Sequence, residues 1–244
     1  MSALDFIIPS WPAPKRVNAL STTRHGGVSA EPYAALNLGS HVNDDPEHVA
    51  FNREKLGKHL PAQPMWLNQI HGTRVIDGSV YTGVCDADAS FSAQANQVCT
   101  VMTADCLPVL FCDYDGQQVA AAHAGWRGLL DGMLENTVAT FSDASRVMAW
   151  LGPAIGPSAF EVGQEVKAGF CAQNPLSERC FAPSDNAGKW LADLYGLARL
   201  RLSSAGVSDV YGGDFCTFTE QSRFFSYRRD GVTGRMATCI WLAD

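Results

Sequence analysis

The sequence lacks most of the features that announce a function directly. No run of Lys or Arg is long enough to track a phosphate backbone, and the 244 residues carry a formal net charge of −7. Both observations argue against a nucleic-acid partner. No apolar run is long enough to span a bilayer, so no membrane partner is expected. Pro9, Pro12 and Pro14 interrupt the opening residues, which do not read as a secretory leader, and a cytoplasmic protein is expected. There is no G-x-G-x-x-G and no P-loop, which weakens a nucleotide-cofactor reading. There is no H-E-x-x-H, and histidine is scarce, at six residues. No repeat, low-complexity segment or linker divides the chain, so a single domain over residues 1–244 is the simplest organisation.

What is present reads as an ordinary globular protein with a sizeable core, since 46% of the residues are apolar. Eight cysteines are too many to ignore. Several, such as Cys99, Cys112 and Cys239, sit inside apolar runs of a chain without an export signal, and these read as buried reduced thiols. Cys106 differs, because Asp105 precedes it and Pro108 follows closely.

Periodicity and turn signals predict the elements. A strand is expected over 17–23. Asp45 caps a helix over 47–60, with Pro46 at its first position. A strand begins the segment 64–75. Strands over 97–104 and 107–112 lead through the turn Asp115-Gly116 into a strand over 119–123. Leu130, Met133, Leu134, Val138 and Phe141 recur at helical spacing and predict one helix over 125–141. Further strands are expected over 146–151, 207–211 and 235–242, further helices over 163–170 and 189–202, and a basic-aromatic loop over 224–230. Strands and helices alternate irregularly and include a hairpin, which predicts an α+β fold with a mixed sheet covered by helices.

The chemistry concentrates in residues 102–128. Cys106 and His123 flank the hairpin, and in an antiparallel pair those two ends come together. His71 follows the apolar pair Trp66-Leu67 and the amide pair Asn68-Gln69. His71, Cys106 and His123 therefore form the candidate triad. As ligands they offer two nitrogens and a sulfur, the pattern of a catalytic zinc site with an open fourth position, where the metal acidifies a water. Copper accepts the same ligands. Without a metal, Cys106 would be a thiolate nucleophile with His123 or His71 as its base. A binding module without catalysis is the third reading. Asp86 and Asp88 would cap backbone amides or orient a histidine. Arg24, beside the Gly26-Gly27 turn, and Arg127, at the predicted helix start, are candidate anion holders. Gln69, next to His71, is a further candidate for substrate contact. His41, His48 and His59 have no partner at ligand spacing and read as solvent-facing.

Several long motifs resemble the YfiH family, also described as laccase-domain or polyphenol oxidase proteins, purine nucleoside phosphorylases and peptidoglycan editing factors. They are Ser21-Thr22-Thr23-Arg24-His25-Gly26-Gly27-Val28-Ser29, Asn68-Gln69-Ile70-His71-Gly72, Thr103-Ala104-Asp105-Cys106-Leu107-Pro108, His123-Ala124-Gly125-Trp126-Arg127-Gly128, Leu151-Gly152-Pro153-Ala154-Ile155-Gly156-Pro157 and Phe225-Ser226-Tyr227-Arg228-Arg229-Asp230. The resemblance spans nearly the whole chain. It implies a layered α-β sandwich with a mixed β-sheet and a metal held by His71, Cys106 and His123. It also implies a zinc-dependent enzyme that phosphorolyses adenosine, inosine or methylthioadenosine and deaminates adenosine. The small-molecule partners would be a purine nucleoside and phosphate. The resemblance further carries a copper-linked phenol oxidation and an amidase-like editing of a cell-wall precursor.

Overall fold

Two sheets lie face to face, and their central strands are apolar on both sides because both sides are covered. In the computed structural model, which describes residues 3–244, one sheet has five strands in the order Phe6–Ile7, Val17–Thr22, Met236–Leu242, Val98–Thr103, Pro64–Met65. The other has six, in the order Asp209–Gly212, Val147–Leu151, Leu107–Asp113, Val119–Ala124, Ala89–Ser92, Val75–Asp77. Both are mixed: Pro64–Met65, Val75–Asp77 and Asp209–Gly212 pair in parallel, and the other pairings are antiparallel. Residues 1 and 2 lie outside the described residues.

Strand alternation assigns each side chain to a layer. Leu107, Val109 and Phe111 face the helices with Ala120, Ala122 and Ala149. Leu110, Cys112, Ala121, Met148 and Trp150 face the opposite way and pack between the sheets against Val101 and Ile240. The outer face of the five-stranded sheet packs Leu20, Ala237 and Cys239 against Leu56 of the helix Pro46–Gly57. The result is a layered α+β sandwich of helix, sheet, sheet and helices. Each Leu or Phe buried in these layers contributes about 1.5–3 kcal/mol. No helix among the described residues is long and apolar enough to cross a membrane.

Local signals explain most boundaries. Asp45 caps the helix Pro46–Gly57 by accepting from Glu47 N, as its position predicts, although the helix ends before residue 60. The expected helix over 125–141 is broken: Gly132 adopts φ 102°, and two six-residue helices result, Trp126–Asp131 and Met133–Val138. Glycine enters the left-handed region without a Cβ clash, so the apolar stripe survives while the helix does not. The expected helix over 189–202 is also corrected. Lys189–Ala192 is the middle strand of a third, three-stranded sheet, and the helix Leu194–Ser204 begins at Asp193, whose carboxylate accepts from Gly196 N. In the segment 64–75 only Pro64–Met65 and the first residue of Val75–Asp77 are strand, and the loop between them carries His71. The basic-aromatic loop ends in a short helix, Tyr227–Asp230, capped by Ser226.

Candidate metal centre

Strand register brings the site together. His123 stands opposite Pro108 across the hairpin, so Cys106 is its diagonal neighbour on the same face. That face points into the space between the sheets. On the other side of His123, the pairing of Ala89 with Ala122 places Asp88 directly opposite, and His123 N donates to Asp88 O at 2.7 Å. Asp88 Oδ1 then lies 2.8 Å from His123 Nδ1, with both side chains buried. This contact occupies Nδ1 and leaves Nε2 for the site.

Asp88 also builds the loop that carries His71. Its carboxylate accepts from His71 N at 3.0 Å, Gly72 N at 2.7 Å and Ile70 N at 3.2 Å. Four N–H groups thus converge on one carboxylate, and the loop turns sharply enough to place His71 at φ 61°, in the left-handed region. Among the described residues, Asp86 neither caps a backbone amide nor meets a histidine; its carboxylate accepts from the Asn68 side-chain amide, Nδ2, at 2.6 Å. The corner before Cys106 is held in a similar way. Asp105, at φ 90°, accepts from Thr217 Oγ1 at 2.6 Å and Arg228 N at 2.7 Å, while its carbonyl accepts from Ile155 N at 2.9 Å.

The three candidate ligand atoms all lie within 4.8 Å of one another. Cys106 Sγ is 3.9 Å from His71 Nε2, and the His71 and His123 rings meet edge to face with centroids 4.9 Å apart. Tetrahedral zinc with bonds of ~2.0 Å to nitrogen and ~2.3 Å to sulfur holds such ligands roughly 3.6 Å apart, so the donor set fits one ion. Gly125 leaves the room. A Cβ there would stand 3.0 Å from Cys106 Sγ and 3.1 Å from His71 Cδ2. Its φ of −60° and ψ of 158° suit any residue, so the requirement is for space alone.

The charges suit a thiolate. Burial pushes the Cys106 thiol up, but His123 and then His71 outweigh it and bring it down to about 6. Burial likewise disfavours protonated His123, but Cys106 and Asp88 raise it to about 9. Burial works against the Asp88 carboxylate as well, and its bonds to His123, Gly72 and Ile70 hold it below the ordinary value.

The triad forms the floor of a cavity of about 420 Å³. Gln69 lines it, but its amide is committed at both ends to the Met102 backbone, at 2.8 Å and 2.7 Å. Gln69 therefore shapes the wall. Arg24 is elsewhere, in a separate cleft of about 560 Å³, donating to the carbonyls of Ala34 and Gln221. Arg127 is exposed, packs its guanidinium over the Trp126 ring and does not line the cavity. The guanidinium, the imidazole and the phenol ring that do line it, those of Arg235, His41 and Tyr227, were not expected from spacing. His41 is exposed as expected, but into this cavity. Tyr227 belongs to a motif already singled out, whereas Arg235 is a charged residue at the start of an apolar strand and carries no local signal.

These features define an α+β protein of two facing sheets with a candidate nitrogen–nitrogen–sulfur ligand set at the floor of a cavity. The model of the family described as multi-copper polyphenol oxidoreductase laccase matches residues 18–243. The purine nucleoside phosphorylase YfiH of Escherichia coli is 54% identical over 97% of this chain and 98% of its own. A purine nucleoside phosphorylase of Haemophilus influenzae is 49% identical over 98% of this chain and 99% of its own. A solved structure from Neisseria meningitidis is 52% identical and superposes with a TM-score of 0.93, covering 98% of this chain and 99% of its own. YlmD from Geobacillus stearothermophilus is 30% identical with a TM-score of 0.92, covering 100% of this chain and 98% of its own. The chain belongs to the YfiH family.

Proposed function

We propose that the chain is a zinc-dependent purine nucleoside phosphorylase that also deaminates adenosine. The convergence of His71, Cys106 and His123 on the floor of a cavity of about 420 Å³ carries the reading, and the names of relatives near half identity supply the substrate class. The cavity volume falls within the usual range for small-molecule sites. Copper is the other metal these ligands accept, and the family's description names it. One group of three ligands suits a single ion better than a multi-copper relay.

His71 Nε2, Cys106 Sγ and His123 Nε2 would hold the metal. When bound, zinc supplies Lewis acidity, which acidifies water or polarises a substrate heteroatom. The remaining roles belong to the chain. Asp88 fixes the tautomer and tilt of His123 and the position of His71 through the loop amides. The Cys106 thiolate offsets positive charge. Gln69 keeps its wall rigid, and the exposed ring of Tyr227 offers a face on which a purine can stack. In phosphorolysis a phosphate oxygen bonds to the anomeric carbon of ribose while the bond to the base nitrogen breaks, and the base takes up a proton. In deamination a water oxygen bonds to the purine carbon that bears the amino group, the bond from that carbon to the amino nitrogen breaks, and ammonia leaves with one proton of the water while the other stays on the product. The reacting atoms lie in different parts of the nucleoside, so the cavity must accept two poses.

The test is chromatography of products from adenosine with and without phosphate. Adenine and ribose 1-phosphate should form only with phosphate, and inosine without it. If zinc-loaded protein gives neither, the reading fails. A second reading rests on the Cys106–His123 charge pair, which is also that of a cysteine hydrolase. Its substrate would be an amide in a cell-wall precursor, and its activity would survive chelation of metal.

A further inference from the structure

Arg235 raises a problem that the metal ligands do not solve. It lines the same cavity and is half-buried, yet among the described residues no carboxylate lies within ion-pair distance of it. Its Nη1 donates to the carbonyls of Thr233 at 2.9 Å and Gly234 at 3.0 Å, which fixes the guanidinium plane. Nε and Nη2 have no hydrogen-bond partner among the described residues. Burial lowers its pKa from the ordinary arginine value, as for a charge stripped of water, although Cys106 and Asp105 pull the other way. A half-buried guanidinium without a counter-ion, with two donors open to the cavity, offers an anion a ready-made edge.

The surrounding charges give the same answer. The chain as a whole has a net charge of −7, yet none of the residues lining this cavity is acidic. His41 lies on the same wall, and its pKa is lowered by burial and then by Arg235. The two carboxylates that build the triad cannot serve Arg235. Asp88 is consumed by His123 and the loop amides, and Asp105 by Thr217 and Arg228 N. Arg235 is therefore a fixed positive charge on a cavity wall without Asp or Glu, and His41 beside it offers a neutral imidazole N–H rather than a second charge.

We propose that Arg235, with His41 beside it, forms the anion subsite of this cavity and takes the inorganic phosphate co-substrate. The proposal rests on the phosphorylase reading and gives it the phosphate site that Arg24 and Arg127 do not provide. Nε and Nη2 form one edge of a planar fork and can hold two phosphate oxygens at once.

Calorimetric titration of the zinc-loaded protein with inorganic phosphate tests this directly. Arg235→Gln should weaken phosphate binding about 10- to 100-fold, the loss of one charge-assisted contact. Zinc content and the circular dichroism spectrum should be unchanged. Arg235→Lys keeps the charge but loses the fork, and should fall between Gln and wild type. In turnover, Arg235→Gln should raise the KM for phosphate by a similar factor and leave the KM for nucleoside within about twofold. Phosphate binding that is equal in wild type and both variants would overturn the proposal. An Arg235-dependent site that takes adenosine monophosphate but refuses inorganic phosphate would overturn it too. If wild type binds phosphate through Arg235 but phosphorolyses no nucleoside, the subsite stands and the phosphorylase reading fails.

Discussion

Asp88 is the side chain on which the centre depends most, and Asp88→Asn is the substitution that exposes this. The carboxylate accepts four N–H groups, those of Ile70, His71, Gly72 and the His123 ring. Asparagine preserves the shape but turns one oxygen into a donor. Whichever way the amide faces, two N–H groups that were paired then meet an NH₂ group. Asp88 has no exposed surface, so water cannot easily replace the lost acceptor. An unsatisfied buried donor costs about 1–3 kcal/mol, which gives a loss of about 2–6 kcal/mol. At about 2–4 °C per kcal/mol for a chain of this size, Tm should fall by roughly 4–24 °C. The centre suffers separately. His123 loses the partner that fixes Nδ1, and His71 loses the bond that holds its loop, so zinc affinity should drop about 10- to 100-fold. Urea unfolding of the metal-free protein reads the first effect, and competition with a chromophoric chelator reads the second. An Asp88→Asn protein with the unfolding midpoint and zinc affinity of wild type would refute the reasoning.

Two other predictions follow from the same geometry. Gly125→Ala should keep the fold but lower zinc affinity at least about tenfold, because the new methyl group displaces Cys106 Sγ or His71; chelator competition beside a circular dichroism spectrum checks it. The metal-free protein should show a Cys106 thiolate whose ultraviolet absorbance appears with a midpoint near pH 6. The folded thiol lies below its unfolded value, so the thiolate's contribution to stability is complete above about pH 9 and is lost as pH falls through about 6. His123 is raised, so its contribution is present below about 6.5 and is lost as pH rises through about 9. The charge pair therefore exists between about pH 6 and 9, and His123→Ala should move the thiolate midpoint upward.

Much of this centre was legible because it rests on local signals. Asp115-Gly116 marks a hairpin, and a hairpin joins Cys106 to His123 whatever surrounds it. The Asp45-Pro46 cap reads correctly for the same reason. The contribution of Asp88 to both histidines was only half legible. Its acidic, turn-rich surroundings suggest a cap or a histidine partner, but performing both roles depends on the pairing of Ala89 with Ala122, which is tertiary register. Arg235 was invisible, since only the antiparallel pairing of Met236–Leu242 with Val98–Thr103, a tertiary register, brings it to the level of Ala104 beside the triad. The two misread helices share a cause. Apolar spacing of 3 and 4 does not register a left-handed glycine such as Gly132, and it does not distinguish the strand Lys189–Ala192 from a first helical turn. Arg24 and Arg127 were chosen by proximity in sequence to glycine-rich turns, and the fold sends both side chains to other surfaces.

The most direct measurement is metal content by mass spectrometry on purified wild type and Cys106→Ala, with phosphate-dependent adenosine turnover assayed on the same samples. The account predicts about one zinc per wild-type chain, the capacity of a single three-residue ligand set, and loss of both zinc and turnover in the variant. Turnover that survives complete removal of metal from wild type, yet disappears with Cys106, would contradict it and make the thiol the nucleophile.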